Sequence, residues 1–204
     1  MLRPRKIPTQ ARAQATVDAL IEATARILIE EGAVGVNTNR VAAVAGVSVG
    51  SLYQYFPGKD ALIMAVVEAH AARVVGVLGH AFMTAVDQPL PQAIEKLVGT
   101  IVDTHSEQPA LHSAIVSHML TLGIHHTAPM HARAVDVVAS FLHSRHEDLA
   151  VPDCQTAAWM LVTTVMAAVH GQHLGVANDV DPEKVKRELS ALIQRYLLAP
   201  SSTA

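Results

Sequence analysis

The sequence predicts an all-α protein, and three observations carry that prediction. Half of its 204 residues are hydrophobic while aromatics make up 3% and charged residues 16%, an Ala-, Val- and Leu-rich balance that suits helices packed by aliphatic side chains. Apolar residues recur at spacings of three and four along most of the chain, which is the period of one helix face. No strand-period alternation, internal repeat or low-complexity segment stands out. A chain of this length buries one large core or two small ones. The expected arrangement is a three-helix N-terminal head carrying a helix-turn-helix, joined to a larger helical body, with about nine helices in total.

Residues 1–9 hold Arg3, Arg5 and Lys6 between Pro4 and Pro8, and are expected to be a basic arm that is disordered in isolation. Residues 10–31 read as the first helix, because Val17, Leu20, Ile21, Thr24, Ile27 and Leu28 form one stripe that Gly32 ends. Asn37 and Thr38 open the second helix, and either side chain could accept from the free amides two or three residues on. Val41, Ala42, Val44 and Ala45 follow at helical spacing. Gly46 can take the positive φ of a tight turn, and Ser48 is placed to cap a third helix through Tyr55. Val47 and Leu52 are the expected buried hinge of this helix-turn-helix.

The string Thr38 to Lys59 resembles the DNA-binding helix-turn-helix of TetR-type transcriptional repressors. Gly46-Val47-Ser48, Leu52-Tyr53, Tyr55-Phe56-Pro57 and Lys59-Asp60-Ala61-Leu62 match that pattern in order and spacing, and the close match covers roughly residues 14 to 66. The resemblance implies double-stranded operator DNA as partner, with residues 10–58 as the DNA-binding domain and 59–199 as an effector-binding and dimerisation domain, leaving 200–204 as a tail. It also implies a homodimer, whose symmetry suits a palindromic operator.

Within the helix-turn-helix, the N-terminal turn of the third helix is the part expected to enter the major groove, so Ser48, Val49, Gly50 and Ser51 become the base-facing residues. All are small, and none makes a bidentate base contact. Asn39, Gln54 or the basic arm is left to add discrimination; Asn39 stands where related proteins often place a basic base-reading residue. Thr38 can cap the helix or meet a phosphate, and one hydroxyl can do both. Three of the seven aromatics, Tyr53, Tyr55 and Phe56, fall within four residues. Phe56 reads as core, whereas Tyr53, Tyr55 and Lys59 read as phosphate contacts. The charge distribution agrees. Net charge is −3, but residues 1–60 hold seven Lys/Arg against five Asp/Glu (+2) and the remaining 144 hold eight against thirteen (−5), so the field that attracts a polyanion lies at the N-terminal end.

From Pro57 a long helix is expected, with Leu62, Ile63, Val66, Val67, His70, Val74, Val77 and Leu78 inward. Asp87-Gln88-Pro89 and Pro91 break it, and Ala93 to His105 resumes. Further helices are expected near 110–123, 128–148, 153–175 and 182–198. The segment 153–175 is apolar almost all round and needs partners on more than one side. The last helix offers Val185, Leu189, Leu192, Ile193, Tyr196 and Leu197 as a stripe, with Lys184, Lys186, Arg187 and Glu188 solvated. These two are the helices that the resemblance assigns to the dimer interface.

The resemblance also implies a small-molecule effector enclosed by the body, and the candidate lining residues are Met64, His70, His105, His118, Met119, Leu122, Trp159, Met160 and Thr163. Each also reads as ordinary core. All twelve histidines lie at or after position 70. A metal site would need several imidazoles to converge on one ion, and the spacings do not favour it: His143/His146 and His170/His173 share faces, but no HExxH string or cysteine partner accompanies them. No metal and no cofactor is expected. Cys154, the lone cysteine, excludes an intrachain disulfide.

The functional expectation is a sequence-specific DNA-binding transcriptional regulator, a repressor released by a ligand, and not an enzyme. The alternative is a helical small-molecule-binding protein or enzyme whose helix-turn-helix resemblance is accidental; no paired carboxylates, nucleophile-base spacing or Gly-rich phosphate loop supports it. Arg3, Arg5 and Lys6 are followed by Thr9, Gln10 and Arg12 rather than an apolar run, and no uninterrupted apolar stretch approaches a membrane span, so the cytoplasm is expected.

Overall fold

A computed structural model describes residues 11–122, 128–173 and 180–198. The basic arm, the C-terminal tail, His125 and His126 lie outside them, as does the side chain of Leu122. The described residues form nine α-helices and no strand, and the all-α expectation holds. The chain divides into two compact units, residues 1–73 with 110–118, and residues 74–109 with 119–204.

In the first unit, α1 (Ala11–Gly35) buries Val17, Leu20, Ala23, Thr24, Ile27 and Leu28, the stripe expected with Ala23 in place of Ile21, which is half-buried. Thr24 sits in this apolar face because its hydroxyl donates back to the Leu20 carbonyl at 2.7 Å, leaving no polar group unsatisfied. Gly32, at φ 68° and ψ −175°, breaks the helix where the sequence placed its end; a further turn runs on to Gly35. α2 (Thr38–Ala45) and α3 (Val49–Tyr55) follow, and α4 (Lys59–Ala85) begins in the same unit. Leu20, Ile27, Leu28, Val36, Val41, Leu52, Phe56, Leu62 and Ile63 are almost fully enclosed. Burying side chains of this size stabilises by about 1.5–3 kcal/mol each. Helices as short as α2 and α3 exist only because α1 and α4 supply that core.

α4 is long and apolar enough, by length and composition alone, to cross a membrane. Its first turns instead fill the head: Ala61, Leu62, Ile63, Ala65, Val66 and Val67 are all buried. Beyond Arg73 the expected inward face shifts. Val77 is exposed, and the buried positions are Ala81 and Ala85, one turn apart, whose small side chains allow close packing.

The second unit takes in the end of α4 together with α5 (Leu90–Ser106), α7 (Ala128–Ser144), α8 (Cys154–His173) and α9 (Pro182–Leu197). α6 (Pro109–Leu122) is divided, with residues 110–118 in the first unit. Leu90, Ile94, Val98 and Val102 of α5 pack with Val135, Ala139 and Leu142 of α7, with Ala157, Ala158, Leu161, Val162, Val165 and Val169 of α8, and with Leu189, Ile193 and Leu197 of α9.

Three boundaries differ from the sequence expectation. Pro91 does not break the chain before α5; it lies in that helix's first turn, where a missing N–H costs nothing and its fixed φ is already helical. Pro109 opens α6 in the same way. The seventh helix stops at Ser144 rather than reaching 148, and a 3-10 turn covers His146–Asp148. Arg145 accounts for the stop: it donates to the Val86 and Gln88 carbonyls at 3.1 and 2.9 Å and pairs with Asp148 at 3.0 Å, so its side chain ties the helix end to the α4–α5 connection.

Candidate nucleic-acid interface

The turn between α2 and α3 is built by Gly46. Its φ of 68° and ψ of 28° place it in the left-handed region that a side chain disfavours. Gly46 N–H donates to the Ala43 carbonyl and Val47 N–H to the Ala42 carbonyl, the paired bonds of a Schellman ending that satisfies the last carbonyls of α2. Leu52 is fully buried beneath the turn and Val47 partly so. Asn37 provides the cap of α2, accepting from Arg40 N–H at 2.9 Å. That frees the Thr38 hydroxyl, which instead lies 3.2 Å from the Tyr53 hydroxyl on α3.

Ser48 caps α3: its Oγ accepts from the Ser51 N–H at 3.1 Å and stands 2.9 Å from the Ser51 hydroxyl. Two of the four small residues at the start of α3 are therefore already bonded to each other. Gly50 is exposed, Val49 and Ser51 are half-buried, and a Cβ added at Gly50 would meet only the Ser48 hydroxyl, at 3.9 Å. A partner can approach this backbone closely.

Around that turn stand Asn39, Tyr53, Gln54 and Lys59, all exposed, with Tyr55 half-buried. Tyr53 exposes 43% of its surface, whereas Phe56 exposes none and is core, as its lack of a polar atom requires. Chemically the surface offers hydroxyls at Thr38, Ser48, Ser51 and Tyr53, amides at Asn39 and Gln54, and the Lys59 ammonium. These are donors suited to phosphate and base edges. Sequence reasoning passed over Arg40, which also lies on this turn of α2, side-chain exposure 46%, in an ion pair with Glu31. Its being the one cation between Thr38 and Tyr55 was a signal that could have found it.

In the first unit, His70 of α4 and His112 of α6 approach at 3.2 Å, Nε2 to Nδ1, with ring centroids 5.4 Å apart. Met64 and His118 are half-buried there. Burial holds the His118 imidazole below its usual range; the Asp60 carboxylate pulls it the other way and the Lys59 ammonium adds to the lowering.

In the second unit, His105 and Met119 are buried. His105 Nδ1 meets the Ile101 carbonyl at 2.7 Å, so that nitrogen carries the proton, and its ring centroid is 6.1 Å from that of His170. Trp159 and Met160 are exposed at 54% and 44%, on the side of α8 away from Ala158 and Leu161. Thr163 shares that outer side and bonds His131 Nε2 at 3.1 Å. The structure thus does not bring these three into the unit's interior with His105.

Beside Met160 stands Tyr196, its hydroxyl 3.7 Å from the sulfur, and Leu192 is exposed at 49%. A groove of about 660 Å³ runs here, lined mainly by Ala168, Val180, Val185, Leu189, Leu192 and Tyr196. Lys186, expected to be solvated, instead bonds Asp103 of α5 at 2.5 Å and Glu183 at 2.6 Å, and those bonds, the Asp103 one foremost, raise its pKa. Cys154 is buried at the start of α8, where the Asp153 carboxylate caps the helix and is held acidic chiefly by the Thr156 hydroxyl at 2.6 Å.

Two family models match the chain: that of bacterial regulatory proteins of the tetR family over residues 20–66, and that of the tetracyclin repressor-like C-terminal domain over residues 89–197. No curated protein matches significantly in sequence. Among solved structures, SmeT, the repressor of the Stenotrophomonas maltophilia multidrug efflux pump SmeDEF, is similar at a TM-score of 0.73 and 20% identity, over 94% of this chain and 95% of that one. A SmeT–triclosan complex is similar at 0.72 and 18%, with the same coverage. NalD, the secondary repressor of the MexAB-OprM multidrug efflux pump in Pseudomonas aeruginosa, is similar at 0.70 and 14%, over 91% of this chain and 98% of that one.

Proposed function

The chain belongs to the TetR family of bacterial regulatory proteins, and from that membership we propose that it represses transcription by holding operator DNA and releasing it when a small molecule binds the body. The observation that carries the DNA-binding part is the helix-turn-helix closed by Gly46, with the start of α3 open and the Thr38 and Tyr53 hydroxyls paired beside it. Residues 10–58 are the DNA-binding part and 59–199 the effector-binding and dimerisation part. Thr38, Tyr53, Tyr55 and Lys59 hold phosphates; Asn39, Ser48, Val49, Gly50, Ser51 and Gln54 face the bases.

Two copies of the chain associate through the exposed apolar face of α8 and α9, where Trp159, Met160 and Leu192 are open to solvent. A two-fold pair presents two heads to a palindromic operator. The effector acts by binding the released state more tightly than the DNA-bound one, and only that difference can shift the equilibrium. His105 is its leading polar contact in the second unit. SmeT, a relative in fold, is seen with triclosan, which favours an apolar, aromatic ligand here too.

The test is selection of binding sites from a random duplex pool by the full-length protein, followed by gel shift on the enriched sequence. Saturable, salt-sensitive binding with a two-fold symmetric consensus is the expected result. An enriched pool with no consensus, or no enrichment, counts against the proposal.

A further inference from the structure

Between Thr38 and Tyr55 the helix-turn-helix contains one cationic side chain, Arg40, and that cation is held by a carboxylate of its own chain. Glu31 stands one residue before the Gly32 break that ends the regular part of α1. Arg40 is in the first turn of α2, two residues after Thr38. Its backbone N–H is fixed by Asn37, so the guanidinium is presented from an anchored Cα. Both side chains of the pair remain open to water, at 46% and 36% of their surface. An ion pair so exposed contributes little to stability, so it can be exchanged for another anion. A phosphate offers the guanidinium the same two-oxygen geometry as a carboxylate and adds the gain from counterion release.

We propose that Glu31 is an intramolecular competitor for Arg40: its carboxylate occupies a guanidinium that otherwise grips the DNA backbone, and the exchange of Arg40 between Glu31 and phosphate sets the strength and salt dependence of binding. This rests on the DNA-binding reading above. It follows from charge placement on this one turn. Asn39 and the small residues of α3 bring no charge, so Arg40 is the cation of α2 and α3 that can respond to salt, and Glu31 is the group that withholds it. Glu31 is itself repelled by the phosphates it mimics. Its departure on binding therefore costs little, and a substitution that removes its charge leaves Arg40 permanently available.

The experiment measures affinity of full-length wild type, E31Q, R40Q, R40K and E31Q/R40Q for the selected duplex across about 50 to 300 mM salt. R40Q is expected to weaken binding about five- to tenfold and to reduce the slope of log K against log salt by about 0.9, the signature of one lost phosphate contact. E31Q is expected to tighten binding about three- to fivefold with a steeper slope. R40K should fall between wild type and R40Q, since it keeps the charge and loses the fork. In the R40Q background most of the E31Q gain should vanish. If E31Q gains as much there as in wild type, Glu31 acts only as general repulsion and the proposal is overturned; an unchanged R40Q slope overturns it equally. A purely structural clamp would move the melting temperatures and leave the slopes alone, which also overturns it. Should wild type enrich no duplex at all, the underlying DNA-binding reading is what fails.

Discussion

The hydroxyls of Thr38 and Tyr53, fifteen residues apart, lie 3.2 Å from each other, so the first residue of α2 and the exposed aromatic of α3 are joined at the proposed DNA surface. Because Asn37 does the capping, the threonine is free to take this partner. Each hydroxyl has one proton and two lone pairs, so the pair can bond internally and still present a donor to a phosphate. Tyr53→Phe is expected to weaken operator binding about three- to tenfold, the value of one hydrogen bond, while the melting temperature stays within about a degree or two because the site is exposed. Fluorescence anisotropy alongside thermal unfolding checks this; equal affinity would remove Tyr53 from the phosphate contacts.

Gly46→Ala tests the turn. Nothing lies within 4 Å of the added Cβ, so the cost is backbone strain at φ 68° rather than a clash, about 1–2 kcal/mol. The urea midpoint should fall accordingly, and DNA binding should weaken because α3 is re-aimed. An unchanged midpoint would mean that the turn relaxes without cost.

Leu192→Glu places a charge on the exposed α8–α9 face without entering the core, since Leu192 is 49% exposed in one chain. On the proposed dimer, the expected outcome is a folded monomer in sedimentation at concentrations where wild type associates, with dimer affinity down at least about tenfold, equivalent to about 1.4 kcal/mol. A dimer unaffected by this change would move the interface elsewhere.

His118 makes the first unit sensitive to acid. Its folded pKa lies below the ordinary 6.5, chiefly through burial, so the unfolded chain takes up the proton more readily than the folded one. The stability this group allows is therefore complete above pH 6.5 and declines as pH falls below that value through the lowered one. Between about pH 7 and pH 5 the denaturation midpoint of wild type should drop more than that of His118→Gln. Parallel pH profiles would show that His118 is not the responsible group.

Much of the head and its proposed site was legible because the relevant signals are local. A Gly with turn-compatible neighbours, a Ser three residues before the amide it caps, and Phe56 beside Leu52 and Leu62 act within one or two turns of helix, and the all-α class follows from apolar spacing at three and four. What the sequence left open depends on partners far along the chain. Both Asn37 and Thr38 could cap α2; in the structure Asn37 takes the Arg40 N–H, and the Thr38 hydroxyl finds its partner in Tyr53, fifteen residues on. Lys186 reads as a solvated charge until Asp103, on a helix more than eighty residues earlier, is brought to it. α8 is apolar on nearly every side, so its period carries no phase. That Trp159 and Met160 turn outward while Ala157 and Ala158 turn in was fixed only when α5 and α7 closed on the small side of the helix, where close approach buries the most surface.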